Sequence, residues 1–229
     1  ENNPFLDGVD ENEYFDYVYS LTENSFTFHK SRRPIKPMKL TLEDNSLEAD
    51  AFNDQANRFY KGDGLEVNKE KAFKLYKKAA ALGNVKAMNN YGFMLEHGDG
   101  VPVDKQEACR YYKMAADKDL PIAMFNYGNI LANGDGVAKN LKEAITYLER
   151  AAKKGEINAM CRLGNIYLQE EGAVDEIKAC NYYKMAADKG DLNAMNNYAY
   201  MLLNGKGVDM DKNQAAEYYK NAAEKGNVT

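Results

Sequence analysis

The chain has 229 residues, 45% hydrophobic and 28% charged, with a formal charge of −5. That balance is ordinary for a globular protein, and it argues against a nucleic-acid binder, which carries a basic patch or stripe. No apolar run approaches the roughly 18–20 residues that cross a bilayer, so membrane insertion is not expected.

The chain opens on Glu1 rather than Met, and no positively charged start with an apolar core marks a secretory signal, although an upstream signal is left open. Three cysteines, Cys109, Cys161 and Cys180, do not make a disulfide framework, and a reduced, cytoplasmic setting is expected. Residues 1–46 read as an N-terminal extension without the pattern that follows. Within it, DENEYFDYVYSL (10–21) predicts a short helix, with Asp10 as its cap and Glu13 three residues on, as in a capping box. HKSRRPIKPMK (29–39) comes next, with five positive residues and two prolines. It reads as a solvated linker, with an import or anionic-surface motif as the alternative.

From residue 51 the sequence repeats with a period of 36 residues. Alanine pairs fall at Ala79-Ala80, Ala115-Ala116, Ala151-Ala152, Ala186-Ala187 and Ala222-Ala223, and Ala-Met pairs begin at 87, 123, 159 and 194. Five units follow: 51–86, 87–122, 123–158, 159–193 and 194–229. Each predicts two helices. In the second unit Ala87, Met88, Tyr91, Gly92, Met94 and Leu95 lie on one face of the first helix. Gly98 and Gly100 then end it through the left-handed conformation that glycine tolerates. Ala108, Tyr111, Tyr112, Ala115 and Ala116 form one face of the second helix. Gly83, Gly155, Gly190 and Gly226 are expected to close four second helices, with Asp119 in that place in the second unit. Ala56, Gly92, Gly128, Gly164 and Ala199 occupy one column, where a small side chain lets two helices approach closely. Gly128→Leu there should overpack the contact by roughly 1–3 kcal/mol. The fourth unit is a residue short and has Glu170 where glycine is expected, so a local kink is expected. The first unit, with Phe52 and Gln55, reads as a capping repeat.

These residues resemble the Sel-1-like repeat, a branch of the tetratricopeptide-repeat superfamily. AMFNYGNILANGDGVAKNLKEAITYLERAAKKG (123–155) fits the pattern of a small residue in the first helix, a Gly-x-Gly-Val turn and a second helix ending on Ala-Ala-x-x-Gly. The resemblance implies an all-α fold, a right-handed α-solenoid of five helix-turn-helix repeats, acting as an adaptor or scaffold for a protein or peptide partner. It also implies that the first helices line a concave groove. The alternative is a docking segment of a larger, kinase-like signalling enzyme whose catalytic part precedes Glu1.

Chemical readings are weaker. The Gly-Asp-Gly turns at 62–64, 98–100 and 134–136 have neither a preceding strand nor the Gly-Lys-[Ser/Thr] of a phosphate loop, nor alternating calcium ligands. His97 sits in a variable column at a loop edge, and His29 is far away, so no metal or cofactor is expected. Cys109 and Cys180 fall in an apolar column and read as packing residues, whereas Cys161 reads as exposed. A serine β-lactamase would need Ser-x-x-Lys, and residues 51–229 hold no serine. No enzyme is expected.

If the apolar columns face the core, the remaining face of the first helices is the candidate partner-binding stripe. Its residues are Asn57, then Asn89, Asn90 and Phe93, then Phe125, Asn126 and Asn129. Arg162, Asn165, Asn196, Asn197 and Tyr200 complete it. Amides both donate and accept, so a row of them can hold the backbone of an extended peptide. The other reading of Asn90, Asn126 and Asn197 is that they fix neighbouring units.

Overall fold

The computed structural model describes residues 42–226. The expected helix at 10–21 and the basic stretch at 29–39 lie outside the described residues. Residues from Glu48 onward group as one compact unit. Among the described residues there are ten helices and no strand.

The first helices of the units are α1 (Leu42–Lys61), α3 (Val85–His97), α5 (Pro121–Asn133), α7 (Ile157–Gln169) and α9 (Leu192–Asn204). The second helices are α2 (Lys69–Ala81), α4 (Lys105–Asp117), α6 (Leu141–Lys153), α8 (Glu176–Asp188) and α10 (Lys212–Gly226). From α2 onward each helix packs on the next in sequence, which makes an all-α solenoid. A single pair cannot bury its apolar face, and stacking buries it against the neighbour.

The chemistry at the helix ends sets the length of each piece. Gly98, Gly134 and Gly205 take φ of 69°, 76° and 63° just after α3, α5 and α9, and each N–H returns to a carbonyl of the last turn. The second helices start on a cap column that the repeat pattern alone did not single out. Asn68, Asp104, Asn140, Asp175 and Asp211 each accept from the backbone N–H three residues on. Asp119 is the one non-glycine residue at positive φ among the described residues, at 68°. Its carboxylate pairs with Arg150 and Lys154 of the next unit, and these two cations hold its acidity below the usual range. Gly226 does not close its helix as expected, because α10 runs through it and its φ is not positive.

The small-residue column has the predicted reason. A β-carbon on Gly128 would lie 2.8 Å from Leu148 Cγ, and one on Gly164 would lie 2.5 Å from the Tyr183 ring. The second glycine of each turn serves a different contact. A β-carbon on Gly100 would meet Lys69 at 2.7 Å, and one on Gly136 would meet Lys105 at 2.6 Å; these lysines open the second helix of the preceding unit. Ion pairs run along the same junctions: Lys69 with Asp99, Lys105 with Asp135 at 3.1 Å, and Lys139 with Glu170 at 2.8 Å. The fourth unit, which lacks the first glycine, ends α7 on Glu170 with an ordinary φ of −79°. Glu170 still supplies the acid of the junction. Cys109 and Cys180 are buried, as their column predicts. Cys161 is half-buried rather than exposed, with its sulfur 3.7 Å from Asp191 Oδ1, and burial pushes its thiol up to about 12.

Candidate functional site

The predicted stripe resolves into three kinds of position. The first kind lies six residues past the start of each unit, on its first helix. Asn57 and Asn165 are there, and each accepts a hydrogen bond from the tyrosine of its own second helix, Tyr76 and Tyr183, both at 2.7 Å. In the second unit Phe93 takes that place, and the matching Tyr112 donates to Glu96 at 2.7 Å instead. In the third unit the tyrosine is replaced by Leu148, and among the described residues Asn129 has no such partner for its amide. In the fifth, Tyr200 stands at the position and is 43% exposed. The amides at Asn57 and at the exposed Asn165 therefore fasten two helices, while the half-buried Asn129 makes no such bond among the described residues and the rings of Phe93 and Tyr200 stand exposed.

The second kind lies two and three residues past the start of the unit. Asn89 was expected to face outward, but it is only 9% exposed. Its Oδ1 accepts from Asn126 Nδ2 at 3.0 Å, across the junction between the second and third units. This supports the unit-fixing reading of Asn126, and Asn89 is covered because its amide faces the adjacent first helix. Asn53, one unit earlier, is 4% exposed, and its Oδ1 has no hydrogen-bond partner. Asn90, one column on, turns to Tyr76, whose phenol is pushed up to about 12 mainly by burial. Asn196 and Asn197 make no contact of this kind among the described residues. Phe125 is half-buried. Arg162 donates from its guanidinium to Asn133 Oδ1 and leaves a buried Nε without an acceptor.

The third kind is a groove. Asn57, Tyr60 and Lys61 of α1, Tyr76 of α2, Asn89, Asn90, Phe93 and Met94 of α3, and Ile122 and Asn126 of α5 line a shallow, half-open groove of about 430 Å³. It brings together five residues of the predicted stripe: Asn57, Asn89, Asn90, Phe93 and Asn126. Phe125, Asn129, Arg162, Asn165, Asn196, Asn197 and Tyr200 do not line it. Phe93 is 39% exposed above the buried Met94. His97 stacks on the Phe93 ring, with centroids 4.2 Å apart, and its Nδ1 lies 3.0 Å from the Phe93 carbonyl. Placing His97 at a loop edge missed that it braces the groove's aromatic. The spacing of one helical turn between Phe93 and His97 was the available signal. At the α1 end Tyr60 donates to Asp99 Oδ2 at 2.7 Å, and this bond is the main reason its phenol is pushed up to about 12. Lys69 in turn holds the Asp99 carboxyl below its ordinary range.

The groove can therefore hold an apolar side chain beside amides. It has no assembled acid–base pair. Among the described residues no group of three or more His, Cys, Asp or Glu could hold a metal ion, and no helix is long and apolar enough to cross a membrane.

Comparison with known proteins agrees with this architecture. The sequence model of the Sel1 repeat matches five consecutive stretches, 56–84, 85–120, 121–156, 157–191 and 192–227. A Sel1 repeat protein from Oxalobacter formigenes is similar in structure, with 34% identity and a TM-score of 0.73 over 82% of this chain and 75% of that one. A protective antigen present in uropathogenic Escherichia coli strains, described as displaying an SLR fold, is 29% identical with a TM-score of 0.75. That match covers 78% of this chain but 38% of the antigen. An immunity protein from Pseudomonas aeruginosa is 26% identical with a TM-score of 0.52, over 85% of this chain and 68% of that one. No curated protein matches the chain.

Proposed function

Because the chain belongs to the Sel1 repeat family, whose members are generally protein-interaction modules, we propose that it is an adaptor that holds an extended segment of a partner protein along the first helices. The groove of about 430 Å³ between α1, α3 and α5 carries this reading. Its apolar part is Phe93, Met94 and Ile122, and its polar part is mainly asparagine. Lys61 is the one charged residue of the lining, so recognition rests on shape and on bonds to peptide groups rather than on ion pairing. An apolar side chain of the partner seats against Phe93. Asn90 and the free Oδ1 of Asn126 face its backbone, since amides match both peptide N–H and C=O. Further along, Asn129, Asn196, Asn197 and Tyr200 extend the same chemistry.

Exposed aromatics that fill a partner's pocket dominate binding energy. Replacing Phe93 and Tyr200 together by alanine should weaken the partner recovered with the wild-type chain by about tenfold or more. The helical circular dichroism and melting temperature should stay unchanged, because neither ring is buried. Equal affinity of the double variant in a calorimetric titration would remove the groove from the account.

A further inference from the structure

At three junctions a carboxylate of one second helix meets a tyrosine of the next. Tyr147 of α6 donates to Asp117 of α4 at 2.6 Å, and Lys113, one turn before Asp117, pairs with the same carboxylate at 2.8 Å. These two bonds hold the Asp117 carboxyl below its ordinary range. Lys184 of α8 and Tyr218 of α10 stand around Asp188 in the same way, at 3.9 and 3.4 Å. Between α6 and α8 the acid is Glu149, which accepts from Tyr182 at 3.4 Å.

The first junction keeps the two donors and lacks the acid. Lys77 of α2 stands in the column of Lys113 and Lys184, and Tyr111 of α4 in the column of Tyr147, Tyr182 and Tyr218. Ala81 takes the place of Asp117 and Asp188. Among the described residues no carboxylate pairs with Lys77 or accepts from Tyr111. Glu107, on the same helix as Tyr111, is held by Arg110 through two bonds. Lys77 is exposed and Tyr111 half-buried, with the Arg110 guanidinium 4.9 Å from the centre of its ring.

The rest of α2 has the same sign. It sets five lysines against Glu70 alone, a net charge of +4, where α4, α6 and α10 each carry +1 and α8 carries no net charge. Lys69 is paired with Asp99. Lys71, Lys74, Lys77 and Lys78 have no described carboxylate as partner, and helical spacing puts them on the side of α2 opposite Tyr76 and the groove. Lys71 and Lys78 rest over the Phe59 and Phe52 rings. Lys74 and Lys78 are one turn apart, a spacing at which like charges repel and a bound anion relieves the repulsion.

We infer that Lys77 and Tyr111 form a site for an external carboxylate, and that the lysine side of α2 docks an acidic segment of a partner protein, rich in Asp and Glu. The chemistry is the one that the chain satisfies internally at Asp117, where a cation and a phenol converge on one carboxylate. Lys71, Lys74 and Lys78 span about 10 Å along the helix, which suits the neighbouring carboxylates of a short acidic run. This surface is separate from the groove, so the two hold different segments.

Fluorescence anisotropy of a labelled octaglutamate peptide at about 0.15 M salt tests the assignment on the 229-residue chain, with octaglutamine as the uncharged reference. Ala81→Asp restores the acid that α4 and α8 carry and fills the site from within. It should weaken octaglutamate binding by about tenfold or more, as should Lys77→Gln combined with Tyr111→Phe. Asn213→Asp, which makes the same change of charge on α10, should stay within about twofold. Phe93→Ala should do the same, which separates this site from the groove. The helical circular dichroism of Ala81→Asp should match that of the wild type, because α4 and α8 already hold an acid at that position. Octaglutamate bound equally by the wild type and Ala81→Asp, or no better than octaglutamine, would overturn the inference. So would recruitment of phosphatidylserine vesicles without binding of the peptide, which would assign the lysines to a membrane surface.

Discussion

At Gly164 the absence of a methyl group decides how closely α7 and α8 approach. The Tyr183 ring lies where the β-carbon would be, and that ring is itself fully packed. Gly164→Ala should therefore destabilise the chain by about 1–3 kcal/mol in urea unfolding, as overpacking does. The amides separate in the same way. Asn165→Ala strands the buried Tyr183 hydroxyl and should cost about 1–3 kcal/mol. Asn129→Ala removes an amide that fastens nothing among the described residues and should stay within about 0.5 kcal/mol. A reversed order in the two melting curves would contradict the division between fastening and surface amides. Asp119 shows how a residue other than glycine is kept at positive φ: two cations of the next unit, Arg150 and Lys154, fix its side chain while the backbone turns.

At the scale of the helices, stability is concentrated where tyrosines of one helix reach the next. Tyr91 stacks on Phe73 with centroids 4.6 Å apart, and Tyr127 and Tyr198 meet Tyr147 and Tyr218 edge-on at 4.7 and 4.9 Å. Burial pushes the phenols of Tyr76, Tyr91 and Tyr183 from 10.0 to about 12. A raised phenol pKa favours the native state as long as the unfolded phenol is protonated. Above pH 10 the unfolded chain loses protons that the folded chain keeps, so stability falls as pH rises. Urea midpoints should hold steady from pH 7 to 9 and decline between about pH 10 and 12. A midpoint flat through that window would remove the buried phenols from the account. The helix-pair pattern, the capping glycines and the small-residue column were legible because a residue repeated in phase five times reports a position rather than a local accident. The Asn/Asp caps of the second helices also repeat, but they lie among other polar residues and look like ordinary loop. The free amide of Asn129 was not legible from its own column, because it depends on Leu148 in another helix.

For the molecule as a whole, the stripe was drawn from one periodic rule, that residues off the apolar face point outward. The rule holds for Phe93 and Tyr200, which are exposed. It fails at Asn89, because in a stacked array the side of a first helix faces the next first helix rather than solvent. The sequence carries that distinction only through geometry between units. The proposed interaction surface is consequently narrower than the stripe: the Phe93 groove, with Asn129 and Tyr200 further along. The most direct measurement places a photo-crosslinking residue at Phe93, Asn129 or Tyr200, and as controls at the exposed Lys74 and Lys184 of the second helices, followed by mass spectrometry of the captured peptides. A groove that holds one extended segment predicts that all three groove positions capture neighbouring residues of the same partner segment, in chain order, while the controls capture none of it. Capture of that segment from Lys74 or Lys184, with none from Phe93, would contradict the account.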